Sequence, residues 1–241
     1  MVQMPIELAK NRGWSLLQRL NKALEAGEID EARWYADVAA VITPAYLAAN
    51  NPRAQSGSDS TVADWAYKRG LIAEAVDRDG SFLDVGCASG YLMETLSAWC
   101  RERGHSIEAY GLDNAPELAD LARRRLPQWA ERIFVGNALD WRPPRRFDFV
   151  RTGLEYVPTR RQRELVTRLL TDVVAPGGRL IIGVYSEEQD ATRASPSEAE
   201  RLARWGFQIA GQSERHHLSD ARLVYRACWI DHAGSSPEAA R

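Results

Sequence analysis

A few short runs in this chain bring together residue types suited to work on a nucleotide-like ligand. The first reads Phe82-Leu83-Asp84-Val85-Gly86-Cys87-Ala88-Ser89-Gly90-Tyr91-Leu92. Small residues at 86, 88 and 90 let a ligand approach the backbone and the start of a following helix closely. Asp84 shares a strand face with Gly86, because side chains alternate along a strand. A carboxylate at that turn repels a pyrophosphate and attracts an ammonium or sulfonium group. The second run, Tyr110-Gly111-Leu112-Asp113-Asn114, places Asp113 about twenty residues beyond the first glycine cluster, where a carboxylate accepts from both hydroxyls of a ribose. Asp113 or Asn114 also suits the cap of a helix starting near Pro116, and the two roles are compatible.

These residues need strand ends to carry them. Phe82, Leu83 and Val85 form the apolar opening of a buried parallel strand. Leu92, Met93, Leu96 and Trp99 then recur at helical spacing. Further strands are expected at 107–113, 132–136, 147–152 and 180–185, with helices at 116–125 and 160–174 between them. A helix at 61–76 precedes the first strand. Residues 186–195 read as a polar loop and 196–205 as a short helix. Two final strands, 207–210 and 221–230, lack a helix between them and so form an antiparallel hairpin. The N-terminal part reads as two helices, 4–26 and 31–42, the second capped by Asp30 and broken by Pro44. A polar stretch, 53–60, follows as a linker or as a lid over the ligand. The expected organisation is an N-terminal helical cap and linker at 1–60, a ligand-binding domain at 61–232 and a tail at 233–241.

The glycine pattern lacks the G-x-G-x-x-G spacing of a dinucleotide fold. The stretch Asp84-x-Gly86-x-Ala88-x-Gly90 resembles instead the first motif of class I S-adenosylmethionine (AdoMet)-dependent methyltransferases, with Ala88 in the usual middle-glycine place. The resemblance covers about 61–230. It implies an α/β, Rossmann-like, doubly wound sheet of seven strands, mostly parallel with the last antiparallel, and AdoMet as cofactor. Asp84, Gly86, Cys87, Ala88 and Gly90 would then hold the methionine end, Asp113 and Asn114 the ribose. Asn137 and Ala138, in Val135-Gly136-Asn137-Ala138-Leu139-Asp140, fall where the family contacts adenine. There Asn137 replaces the common acid, and its amide can both accept and donate. Asp140 reads as a turn residue.

The run Arg151-Thr152-Gly153-Leu154-Glu155-Tyr156-Val157-Pro158 falls where the family borders methionine and acceptor, which adds Thr152 to the cofactor residues. Glu155 and Tyr156 are the catalytic candidates. Glu155 either accepts a proton or holds a cationic amine, or serves only as a helix-start acid. Tyr185 joins Glu155 as an acceptor-pocket residue. The Asn-Pro-Pro-aromatic and Pro-Cys motifs of DNA methyltransferases are absent from this run, so a DNA substrate is not expected.

The 241 residues are 45% hydrophobic and 27% charged with a net charge of −2, ordinary for a protein with a sizeable core and without general attraction for nucleic acid. Cys87, Cys100 and Cys228 lack metal-ligand spacing and read as free thiols in a reducing, cytoplasmic compartment. No signal peptide or membrane span is expected. His216-His217 point to opposite faces of a strand and do not form a metal pair. Trp34 and Tyr35 read as packing residues of the cap. The expected function is methyl transfer from AdoMet to an O or N atom of a small-molecule acceptor. A catalytically silent AdoMet-binding regulatory subunit, and an RNA or protein methyltransferase, are the alternatives. A homodimer through the N-terminal helices is a further expectation.

Overall fold

The structure, a computed structural model, describes residues 6–188, 197–220 and 222–233. Seven strands form one sheet: β1 (Gly80–Val85), β2 (Ile107–Asp113), β3 (Ile133–Val135), β4 (Phe147–Thr152), β5 (Val174–Glu188), β6 (Gly211–His216) and β7 (Leu223–Asp231). Their spatial order is β3-β2-β1-β4-β5-β7-β6. β3, β2, β1, β4 and β5 run parallel to one another. β7 is antiparallel to both β5 and β6. The order reverses between β1 and β4, so the carboxyl ends of those strands open a crevice where ligands bind in such sheets.

Alternation along the strands sends residues to two cores. Leu83, Val150 and Ile182 pack on one face with Leu165, Val166 and Leu169, which lie on α7 (Gln162–Arg168) and the wider turn that continues it to Val173. Phe82, Phe149 and Ile181 pack on the other with Leu92 and Leu96 of α5 (Tyr91–Glu102). Each such buried side chain contributes roughly 1.5–3 kcal/mol. α6 (Pro116–Arg125) begins with proline in its first turn, where no donor is lost.

The N-terminal helices α1 (Ile6–Glu25) and α2 (Glu31–Leu47) form a hairpin with its own small core of Leu20, Leu24 and Trp34. Asp30 caps α2, accepting from Arg33 N at 2.8 Å. α2 packs against α6 and so lies over the crevice rather than apart from it.

Several boundaries differ from the sequence reading. Pro44 does not end α2; the helix carries it to Leu47, its last turn held by Tyr46 packing against Ala88 and Leu118. The helix expected at 61–76 breaks at Gly70 into α3 (Val62–Arg69) and α4 (Leu71–Glu74). β5 extends through Glu188 because β7 supplies partners as far as Leu223. Residues 207–210 are not a strand: Phe207 and Ile209 pack on the core from irregular backbone. The edge strand is instead the polar Gly211–His216. The short helix α8 (Glu198–Arg204) starts with a capping box at Ser197. Of the loop expected at 186–195, residues 186–188 belong to β5, and the rest, with most of the expected tail, lies outside the described residues. Among the described residues no helix is long and apolar enough to cross a membrane.

Candidate functional site

The turn after β1 is held by short polar contacts and by apolar packing around Cys87 and Ala88. Gly86 N and Cys87 N donate to the Leu112 carbonyl at 2.7 and 3.1 Å, and Gly90 N to the Cys87 carbonyl at 2.8 Å. Gly86 and Gly90 have φ of 76° and 74°, and Ala88, unusually for a non-glycine, 46°. Such a conformation costs an alanine roughly 1–2 kcal/mol. It is offset where Ala88 N donates to Asp113 Oδ2 at 2.8 Å. Asp113 Oδ1 accepts from Ala115 N at 2.9 Å. One buried carboxylate therefore ties the turn after β1 to the turn after β2; neither it nor Asn114 caps α6, whose N-cap is Ala115 with no side-chain cap hydrogen bond. Burial pushes the Asp113 carboxyl up, against the backbone hydrogen bonds from Ala115, Ala88 and Asn114 that pull it down. Asn114 itself is exposed, and Cys87 is buried with its thiol pushed well up by that burial.

The 53–60 stretch sits on this turn. Ser89 Oγ donates to the Pro52 carbonyl at 2.8 Å and shares a 2.7 Å hydrogen bond with Ser56 Oγ. Ala54, Gly57 and Ser58 are buried. Arg125 bonds the Ser89 carbonyl from the other side and pairs with Glu94 at 2.7 Å. Tyr46 packs on Ala88 and Ala115, its hydroxyl pushed up by burial. At the third strand end, Asn137 Oδ1 accepts from Leu139 N at 3.0 Å, an Asx turn. The Tyr35 hydroxyl lies beside that side chain. Ala138 packs beside Asn137 and gives its carbonyl to Arg168 Nε at 3.1 Å.

Asp84 and Arg151 are register partners on β1 and β4. Their side chains form a buried ion pair at 3.2 Å, with 1% and 4% of their surfaces exposed. The charge expected to face a ligand is thus shared within the sheet. Burial pushes Asp84 up to about 6, against the pull of Arg151. Arg151 also donates to the Gly183 carbonyl at 2.6 Å and to the Tyr156 hydroxyl at 2.9 Å. The Tyr156 ring lies on Gly86: a methyl group on Gly86 would come within 2.6 Å of it. Tyr156 therefore forms a wall of the glycine-rich turn, while Glu155, next to it, is exposed. Thr152 is fully buried and donates to the Gly153 carbonyl at 3.1 Å. Gly153, Glu155, Tyr185 and Arg151 line one cleft at the carboxyl end of β4, where β5 runs on past it. The His pair stands apart: His216 ends β6, and His217 Nδ1 accepts from Ser219 N and Asp220 N.

Sequence reasoning missed Arg69. Its Nε and Nη1 are buried without a hydrogen-bond partner among the described residues, and its guanidinium lies 5.3 Å over the Trp65 ring. Arg151, Tyr156, Glu155 and Asp84 are its charged and polar neighbours. A lone arginine at a helix end gives no signal in sequence, because such residues are ordinarily solvated.

Residues 82–178 match the family model described as a methyltransferase domain. A trans-aconitate 2-methyltransferase from Methylobacterium radiotolerans is 26% identical over 62% of this chain and 54% of its own length. A protein-L-isoaspartate O-methyltransferase from Magnetococcus marinus is 35% identical over 42% of this chain and 40% of its own. The chain thus spans about half the length of the curated relatives it matches. Among solved structures, the Burkholderia thailandensis 1,6-didemethyltoxoflavin-N1-methyltransferase superposes with a TM-score of 0.59 at 18% identity, covering 85% of this chain and 91% of that one. The magnesium protoporphyrin IX methyltransferase from Synechocystis superposes at 0.54 with 16% identity, covering 85% and 98%. The fold is that of class I AdoMet-dependent methyltransferases. Within it, residues 82–178 are the part similar to a methyltransferase domain.

Proposed function

We propose that the protein transfers a methyl group from AdoMet to a small-molecule acceptor. The observation that carries this reading is the Asp113 carboxylate joining the glycine-rich turn to the end of β2, with Asn137 at the next strand end. Each Asp113 oxygen keeps a lone pair for a ribose hydroxyl. Asn137 offers amide N–H groups to an adenine, with Tyr35 beside it. At the other end of the crevice, Arg69 has free N–H groups for a carboxylate, and Asp84, buried in its pair with Arg151, is the neighbouring acid that would attract the ammonium. The chain therefore offers opposite charges for the two ends of an amino acid moiety.

The bound cofactor supplies an electrophilic methyl group on sulfur. Displacement at that carbon needs alignment more than a loud catalytic motif. Tyr156, pinned by Arg151 against Gly86, fixes one wall, and Glu155 stands on the acceptor side. The cap at 1–60 covers the domain at 61–232 through α2, Pro52 and Ser56 and keeps water from the crevice. The toxoflavin-precursor methyltransferase, similar in fold, supports a small-molecule acceptor. A homodimer through α1 and α2 and a cytoplasmic location complete the reading. Calorimetric titration with AdoMet, S-adenosylhomocysteine and NADH tests it. Micromolar binding of the two adenosyl ligands and none of NADH is expected. No adenosyl binding by the folded protein would overturn it.

A further inference from the structure

The cleft at the end of β4, where β5 runs past it, is a hollow of about 20 Å³, far below the usual range of about 300–1,000 Å³ for a whole ligand. It has room for one small group, such as an ammonium. Two polar groups in it lack partners. Glu198 Oε2, at the start of α8, is buried with no hydrogen-bond partner among the described residues, and so is the Tyr185 hydroxyl, which lies beside the Cys228 thiol, a weak partner at best. An unpaired buried carboxylate oxygen is costly, and a donor from a ligand removes that cost. The cleft is joined to the glycine-rich turn through Arg151 and Tyr156, which form its floor on one side and the wall over Gly86 on the other.

Resting on the AdoMet reading of the crevice, we propose that this cleft is the acceptor site and takes an amine nitrogen, with Glu198 as its principal acceptor and Glu155 facing it. The charges decide the class. Glu155 and Glu198 line the cleft, and Glu187 lies close to Glu198, its carboxylate accepting from the Glu198 backbone N–H at 3.2 Å. The cation in the lining, Arg151, is already paired with Asp84. Arg226 pairs with Glu187, and Arg201 reaches only the other oxygen of Glu198, at 3.3 Å. A carboxylate acceptor would meet like charge, whereas an ammonium group meets two carboxylates.

The proton balance also favours an amine. An ammonium donates to Glu198 Oε2 and passes it one proton, which leaves a neutral amine with a lone pair. That pair forms the N–C bond as the C–S bond breaks, and its electrons go to sulfur, leaving a neutral thioether. The product is a methylated ammonium, and Glu198 returns its proton to water. Burial pushes the Glu198 carboxyl up; Arg201 opposes this, while Glu155 and Glu187 add to it. That direction suits a proton acceptor. An alcohol would need a far stronger base than a carboxylate.

Phenethylamine, 3-phenylpropanoate and 2-phenylethanol, matched in size, are the probes. Each is titrated by ligand-observed NMR into the full chain, with and without S-adenosylhomocysteine. The amine is expected to bind at least about tenfold tighter than the acid and the alcohol, and Glu198→Gln to weaken it about tenfold while S-adenosylhomocysteine affinity stays within about twofold. Tyr185→Phe, which keeps the ring, gives a second reading: about a threefold loss for the amine. Equal binding of the three probes, tighter binding of the acid, or amine affinity unmoved in a folded Glu198→Gln protein would overturn the proposal. If S-adenosylhomocysteine fails to bind, the cofactor reading falls, and the ranking of the three probes still decides what the cleft takes.

Discussion

The two halves of the crevice treat their polar groups in opposite ways. At the ends of β1, β2 and β3, the polar atoms that shape the turns are paired with protein, and the unpartnered groups there, the Tyr35 hydroxyl and Arg53 Nε, belong to the covering cap. Leu112, Asp113 and Asn137 take up the backbone N–H groups, and Pro52 and Ser56 take up Ser89. At the end of β4, where β5 runs past it, Tyr185 and Glu198 are left without partners, and nearby Arg69 is too. The first half is a preformed cradle whose shape does not wait for a ligand. The second half leaves groups unsatisfied that a ligand completes. Between them stands the Asp84–Arg151 pair, which anchors Tyr156 and belongs to both.

Breaking that central pair should have the largest effect. Arg151→Met leaves Asp84 buried and unpaired, so a loss of about 3–5 kcal/mol in chemical denaturation is expected, with part of it recovered in the double variant with Asp84→Ala. If Arg151→Met unfolds no more easily than the parent, the pair is not the hinge between the halves. Next comes Asp113→Ala, which removes two buried acceptor bonds and the ribose contact together. Affinity for S-adenosylhomocysteine should fall at least about tenfold, and the melting temperature should drop with it. Unchanged affinity in a folded variant would remove Asp113 from the cradle's ligand-binding role.

Glu155→Gln sharpens the contrast from the acceptor side. Calorimetry should find adenosyl affinity within about twofold, while amine turnover changes; abolished cofactor binding would place Glu155 in the wrong half. The smallest effect is expected at Glu31, which joins the cap to Arg160 and Arg161 at 2.8 and 2.7 Å. As a partly exposed network, Glu31→Ala should cost about 1 kcal/mol or less and less still at high salt. A loss of several kcal/mol would mean that the cap's docking depends on this contact more than on the packing of Tyr46.

The same division explains what could be read from the residues alone. The cradle is made of runs contiguous in sequence, each a strand end followed by its turn, so Gly86, Asp113 and Asn137 were visible as local patterns. Tyr185 and Glu155 were visible as strand-end and turn residues, and the structure brings both to one cleft. Glu198 was not visible, because nothing in Ser197-Glu198-Ala199-Glu200 distinguishes a cleft carboxylate from a helix-start acid. Arg69 and Arg151 carry the same lesson. Their burial depends on how α3 packs on the sheet and on the register of β1 against β4, which no local pattern states. The edge strand β6 was misplaced because Gly211–His216 is polar, whereas the apolar Phe207 and Ile209 imitate a strand while packing from irregular backbone. Pro44 was overruled by tertiary packing: Tyr46 holds the last turn of α2 in place.

Peptide-resolved hydrogen exchange, with and without saturating S-adenosylhomocysteine, tests the division most directly. Added protection is expected at 86–90, 113–115 and 137–139 and in the cap segment 46–57, with little change at 182–185 and 198–204. Protection centred on the ends of β5 and α8, with the glycine-rich turn unchanged, would contradict it.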